Sequence, residues 1–235
     1  GGDIKNLQFV TGSEFELKPE YMYDILQVSS LASVHDLKKA ASEVVKFGDN
    51  PKLSGLVYPI MQMLDEQYLD ADVQYGGADQ RKIFMFAREY HQKIGYKPRV
   101  EVMTPLIPGL VGKKMSASDE KSKIDLLDDE KTIKTKIQNA ECVAGNPDNG
   151  IMAFLKYVIM VMKEDNEKKF TVKRNREHGG DIEYKNYQQI EKDFMAKKLH
   201  PLDLKNALSE EITSLLRPIH RHRKELEALS TKAYP

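Results

Sequence analysis

Cysteine occurs once in this sequence, at Cys142, so no internal disulfide can form and no cysteine cluster can hold a metal. A reducing, cytoplasmic setting fits that usage, and the residue reads as structural. Long apolar runs are also missing. None approaches the ~18 residues that a membrane-spanning helix needs. The opening G-G-D-I-K-N leads into no apolar core, so no secretory signal is expected. It also lacks an initiator Met, so the Gly pair reads as an artificial junction or a cut, with the natural protein expected to begin earlier. Net charge is absent too: 36 basic residues cancel 36 acidic ones. Global charge therefore does not announce a nucleic-acid binder, although a local basic face stays open. There is no internal repeat and no low-complexity tract.

What is present is the composition of a soluble globular protein, with 40% hydrophobic and 31% charged residues in a chain of 235. That length supports one large domain or two unequal ones, and two is the expectation. Leu7–Val10 reads as a short strand before the turn Thr11-Gly12-Ser13. From Lys18 to about Val45 the apolar spacing is helical, with a break near Ser33–Asp36. There Ser33 suits an N-cap and Asp36 the capping-box position, and His35 reads as a structural histidine.

Ser54–Tyr68 has the apolar pattern of a buried helix. Yet Tyr58, Gln62 and Asp65 fall at i, i+4 and i+7, which stacks a phenol, an amide and a carboxylate along one stripe. Such a stripe either satisfies an internal polar network or lines a pocket for a ligand with an aromatic ring and hydrogen-bonding groups, and spacing leaves both open. Next, Ala71–Tyr75 alternates like a strand and runs into Gly76-Gly77-Ala78-Asp79-Gln80-Arg81, which opens a helix through Tyr90. A strand ending in glycines and feeding a helix N-terminus is how open α/β sheets meet nucleotides, with Asp79 available for ribose hydroxyls; a Gly pair alone is also an ordinary tight turn. Arg99–Met103 reads as a second strand.

Then comes Gly112–Asp125, G-K-K-M-S-A-S-D-E-K-S-K-I-D. Adjacent lysines with flanking serine hydroxyls, returning at once to helix-forming sequence, are the parts of a phosphate grip, and equally of a solvated loop. Beyond Lys131 a basic amphipathic helix runs over residues 131–141, and A-G-N-P-D-N-G at Ala144–Gly150 is a strong loop. An apolar helix is expected over Ile151–Met162 and a strand-like piece at Phe170–Val172. The polar loop R-N-R-E-H-G-G-D-I-E-Y follows, then helices near Tyr187–Lys197, Leu202–Leu216 and Pro218–Leu229.

L-S-G-L-V-Y-P-x-x-Q-x-x-D at Leu53–Asp65, Q-Y-G-G-A-D-Q-R-K at Gln74–Lys82 and K-M-S-A-S at Lys114–Ser118 together resemble the class I tyrosyl-tRNA synthetases of the archaeal and eukaryotic type. G-G-D-x-x-Y at Gly179–Tyr184 and H-P-L-D-L-K-N at His200–Asn206 are similar to that group's anticodon-binding domain. The resemblance covers nearly the whole chain in the right order. It implies an α/β fold: the C-terminal part of a Rossmann-like catalytic domain over residues 1–130, then a smaller all-α anticodon-binding domain over residues 131–235. The implied activity is ATP-dependent activation of L-tyrosine and transfer to tRNA-Tyr, with Mg2+ on the ATP phosphates, no protein-bound metal and a homodimeric assembly.

Residue by residue, the resemblance puts Tyr58, Gln62, Asp65 and Gln80 in the tyrosine pocket, with Asp65 accepting the substrate phenol. It puts Gly76, Gly77 and Asp79 on the adenosine and Lys114, Ser116 and Ser118 on the pyrophosphate, as the catalytic loop. Ala117 stands where the widest family pattern has a second lysine, which shifts the burden to Lys114 with Lys113 as helper. His178, His200 and Asp203 would meet the first anticodon base. A helix-start role for His200 beside Pro201 is the competing reading. The family's histidine-bearing H-I-G-H-like turn and first tyrosine ligand occur nowhere in the chain, so by itself it is expected to form an incomplete activation site and an unpaired sheet edge. Tryptophanyl-tRNA synthetase, or a non-catalytic module binding tRNA or a partner, are the alternatives.

Overall fold

Ser33 opens the second helix as the spacing predicts: its hydroxyl accepts from the Asp36 amide at 3.1 Å, while the Asp36 carboxylate accepts from the Ser33 amide at 3.2 Å. A computed structural model describes residues 4–112, 115 and 119–233 and divides the chain into two compact units, 1–106 and 107–235.

The first unit holds α1 (Pro19–Leu31), α2 (Val34–Ala41), α3 (Leu53–Tyr68), β1 (Val73–Gly77), α4 (Arg81–Lys93) and β2 (Val100–Thr104). α3 is its centre, packing against α1, α2 and α4. Ile60, Met63 and Leu64 of α3 are buried with Tyr21, Ile25 and Val28 of α1, Leu37 and Ala40 of α2 and Phe86, Ala87 and Tyr90 of α4. β1 and β2 pair in parallel from Val73↔Val100 to Gly77↔Thr104, with α4 as their crossover. Among the described residues these strands pair only with each other, so each leaves an edge free. Their alternation is inverted relative to a self-sufficient sheet: Tyr75 is 69% and Val100 62% exposed, with Val73 and Val102 on the same outer face, while Gln74 and Glu101 turn inward.

The second unit holds α5 (Glu130–Asn139), α6 (Gly150–Phe154) continuing through a π-helical turn at Leu155–Ile159 into α7 (Met160–Asp165), β3 (Phe170–Val172), β4 (Ile182–Tyr184), α8 (Tyr187–Met195), α9 (Pro201–His220) and α10 (Arg223–Ala233). α5 lies along α9, and the core joins Ile133, Ile137, Met152, Leu155, Phe170, Ile190, Phe194, Leu204 and Leu208. Half-buried Cys142 packs against that core, and burial raises its thiol above the usual range, in keeping with a structural role.

Five expectations change. Leu7–Val10 forms no strand: Phe9 is 91% exposed, and no ladder among the described residues takes up its backbone. The helical unit is not all-α, because β3 and β4 pair antiparallel, Phe170 opposite Tyr184 and Val172 opposite Ile182, burying Phe170, Val172 and Tyr184 in the core. The division falls at 106/107 instead of 130/131. Leu110 is fully buried in the second unit's core, and its backbone bonds both Ser122, at 2.9 Å, and Glu141, at 2.8 Å. Leu110 and Ser122 are thereby tied to the second unit. His35 is an exposed surface residue. α9 also runs through Pro218 to His220, beyond the end expected at Leu216.

Candidate active site

Tyr58, Gln62 and Asp65 project from one stripe of α3 into a pocket of about 410 Å³, completed by Glu16, Met61, Gln74, Tyr75, Gln80 and Phe84. The stripe is therefore a pocket lining. Gln80 comes from the turn Ala78–Gln80 that leads into α4, and its Oε1 accepts from Gln62 Nε2 at 3.1 Å. That bond orients both amides; Gln62 Oε1 is buried with no partner among the described residues, an acceptor held ready for a ligand donor.

Asp65 is half-buried. Its Oδ1 accepts from the Tyr21 hydroxyl of α1 at 2.8 Å, and the same hydroxyl lies 2.9 Å from Met61 O. Burial pushes the Asp65 carboxyl up, and the nearby charge of Glu16 adds to this, while the Tyr21 hydrogen bond pulls it down. The Tyr21 phenol, desolvated and facing that carboxylate, is held far above its ordinary range and stays a donor.

Gly76 and Gly77 end β1 beside this pocket. A Cβ on Gly76 would stand 2.8 Å from the Phe84 ring, and one on Gly77 would stand 2.5 Å from Asp79 Oδ1. The close approach of strand and α4 thus disfavours a side chain at Gly76, where the fully buried Phe84 ring cannot easily give way, whereas at Gly77 the Asp79 side chain can swing aside. Asp79 sits in the turn next to Gly77 and does not line the pocket.

In the second unit, His178 ends the short turn Arg176–His178, followed by Gly179 at φ +92° and Gly180 at φ +72°, backbone that favours glycine. Arg174 bridges that turn to the residues before α9, donating from Nε to Gly180 O at 3.0 Å and from Nη1 to Lys198 O at 3.3 Å. His200 caps α9: its Nδ1 accepts from the Leu202 amide at 3.1 Å, so the helix-start role is real, and the residue is exposed. Asp203 lies in the first turn of α9. Lys114, Ser116 and Ser118, with Lys113 and Ala117, lie outside the described residues.

The structure adds pocket members to which sequence reasoning gave no site role, Glu16, Met61, Gln74, Tyr75 and Phe84, and a buried partner behind the pocket, Tyr21, on Asp65. Tyr21 is far from Asp65 in sequence and carries no local signal of the pairing; Gln74 and Tyr75 could have been found, since they flank the Gly pair. Among the described residues no group of three His, Cys, Asp or Glu side chains could hold a metal, and no helix is long and apolar enough to cross a membrane.

The fold around this polar-striped pocket, with its parallel strand pair, glycine turn and helix, has counterparts among known proteins. The family model described as tRNA synthetases class I (W and Y) matches residues 1–217, and the chain belongs to that family. It is 44% identical over 238 residues to the cytoplasmic tyrosine–tRNA ligase of Gallus gallus, covering 100% of this chain and 44% of the relative. To the tyrosine–tRNA ligase of Haloarcula marismortui it is 38% identical over 236 residues, 100% of this chain and 68% of the relative. The tyrosyl-tRNA synthetase of Archaeoglobus fulgidus, solved in complex with L-tyrosine, superposes with a TM-score of 0.83 at 36% identity, over 92% of this chain and 66% of that one. The chain thus spans less than half the length of the vertebrate relative.

Proposed function

We propose that the protein carrying this chain is a tyrosine–tRNA ligase, which joins L-tyrosine to ATP as tyrosyl-adenylate and then transfers the tyrosyl group to tRNA-Tyr. The observation that carries this reading is the pocket in which Tyr58, Gln62, Asp65 and Gln80 converge over the apolar Met61 and Phe84. Asp65 reads the substrate phenol as an acceptor, while Gln62 and Gln80 hold the polar end of the amino acid. A half-buried acceptor left unpaired by phenylalanine rejects it strongly; hydroxyl-reading sites discriminate by as much as ~10⁴–10⁵. The matched relatives named as tyrosine ligases support tyrosine over tryptophan as the substrate.

In the first step the tyrosine carboxylate attacks the α-phosphorus of ATP and pyrophosphate leaves. In the second, a terminal ribose hydroxyl of the tRNA attacks the activated carbonyl and AMP leaves. Neither step needs a covalent enzyme intermediate, so catalysis rests on positioning and on charge neutralisation. Gly76, Gly77 and Asp79 are assigned to the adenosine, and Lys114, Ser116 and Ser118 to the pyrophosphate charge. Mg2+ is assigned to the nucleotide's own phosphates, and no step is assigned to it. His178, His200 and Asp203 are assigned to the first anticodon base, with Arg174 tying their two segments together. The tyrosine- and adenosine-binding roles thus fall to the first unit, while the pyrophosphate loop and the tRNA-reading residues belong to the second. A homodimer is part of the same reading, supported by the exposed Met22, Tyr23 and Leu26 on the outer face of α1, as is the cytoplasmic location named for the Gallus relative.

Tyrosine-dependent ATP–pyrophosphate exchange tests the reading in the protein with its native flanking sequence. Asp65→Ala is expected to raise the KM for tyrosine at least about a hundredfold, and Lys114→Ala to lower kcat by a similar factor. Exchange that survives both changes undiminished, or that runs with tryptophan in place of tyrosine, would overturn it.

A further inference from the structure

The Tyr21 hydroxyl has one proton and two acceptors in reach, Asp65 Oδ1 at 2.8 Å and Met61 O at 2.9 Å. Its ring cannot swing away. It is fully buried and held edge-on by Phe15 at 5.7 Å and Tyr68 at 4.9 Å between ring centroids. Tyr68 is itself anchored, donating to Asp24 Oδ2 at 2.9 Å, an oxygen that also takes the Tyr96 hydroxyl at 2.5 Å. Asp65 therefore meets a fixed donor behind the pocket. Its other oxygen, Oδ2, has no donor among the described residues.

We propose that Tyr21 is the positioning residue of the phenol-reading carboxylate: by pinning Oδ1 it keeps Asp65 an oriented, ionised acceptor whose Oδ2 is left for the substrate hydroxyl. This rests on the tyrosine-ligase reading of the pocket and deepens it. A lone aspartate carboxylate rotates freely about its last bond, and one strong donor removes that freedom. The same donor opposes two influences that favour the protonated acid: burial, and the second carboxylate of Glu16 on the pocket wall. A protonated Asp65 would instead turn its own proton to Tyr21, which would then donate to Met61 O. That arrangement weakens Asp65 as an acceptor. The polar and titratable groups around Asp65 are Glu16 ahead of α1, Tyr21 and Asp24 of α1, Tyr58, Gln62, Glu66 and Tyr68 of its own helix, and Gln74, Tyr75 and Gln80 across the pocket.

The test is Tyr21→Phe in the exchange assay, with tyrosine and phenylalanine as substrates across pH 5.5–9 and thermal unfolding recorded alongside. The expected result is a tyrosine KM raised about tenfold with kcat within about twofold, and phenylalanine kinetics unmoved. The tyrosine/phenylalanine ratio of kcat/KM then falls about tenfold, and the acid limb of the tyrosine profile moves to higher pH. A merely structural role would change both substrates alike and leave the limb in place, and that result overturns the proposal. Asp65→Asn separates the two levels: if it leaves tyrosine recognition intact, the pocket reading itself has failed, whereas an effect of Asp65→Asn without one of Tyr21→Phe removes only the role of Tyr21. Should Tyr21→Phe not fold, 3-fluorotyrosine placed at position 21 makes a stronger donor of the same shape. The limb should then move to lower pH, and an unmoved limb overturns the proposal.

Discussion

Glu66 and His91 are packed together beneath the pocket helix, both side chains buried, with His91 Nδ1 4.0 Å from Glu66 Oε2. The distance suggests an ion pair, but the desolvation of each argues otherwise. Burial, and then the charge of Glu101, push the Glu66 carboxyl up to about 7, while burial pushes the His91 imidazole down, so both favour their neutral forms. His91 is instead held by Met63 O at 2.9 Å. A carboxyl raised in the folded state contributes stability that is full below its ordinary value near 4.5 and lost as pH rises through about 7. His91 works in the opposite sense, losing stability as pH falls below about 6.5. Glu66→Gln isolates the first effect. In urea unfolding the variant should match the parent near pH 4.5 and exceed it at pH 8 by on the order of 2–3 kcal/mol. A difference independent of pH would show that Glu66 does not carry a raised value. At this scale the sequence was partly legible. The i, i+4, i+7 stripe placed Tyr58, Gln62 and Asp65 on one wall, but Glu16 reaches the pocket, and Tyr21 reaches Asp65 from behind it, only through tertiary packing.

At the scale of elements, the junction of β1 and α4 depends on a missing side chain. Gly→Ala within a strand would ordinarily gain up to about 1 kcal/mol, and Gly76 has no left-handed backbone to protect. The Phe84 ring, 2.8 Å from where a Cβ would sit and itself fully buried, reverses the sign. Gly76→Ala is expected to destabilise by about 1–3 kcal/mol in denaturant titration, and Phe84→Leu in the same chain to return part of it by freeing the space. An additive double variant would refute the clash. The Ser33 cap and the strand-to-glycine turn were readable because their signals are local. The β3–β4 pair was not: three-residue strands are too short to show alternation, and the glycines between them read only as loop. The break at 106/107 was hidden for another reason. The strongest loop signal lies at 144–150, inside the second unit, whereas Leu110 joins its core from a stretch with no periodicity.

At the scale of the whole molecule, charge and exposed apolar surface act together. The sequence pI is about 7.2, so near neutrality no net repulsion keeps copies apart. Two apolar faces are available to join them: the outer side of α1, and the Val73, Tyr75, Val100 and Val102 face of the strand pair. They should behave differently. A dimer through α1 is a closed contact and gives one discrete boundary in sedimentation velocity at every pH between 6 and 9. The strand pair adds open association, because its free edges and bare face can each accept another copy. Larger species should therefore appear on approach to pH 7.2 and recede on either side, and a monomer throughout would count against both contacts. The inverted alternation of β1 and β2 thus becomes a colloidal property: for this chain handled by itself, neutral buffer is the least favourable solvent, and its shelf life in solution is set by the outer face of two short strands, one of which also carries pocket residues.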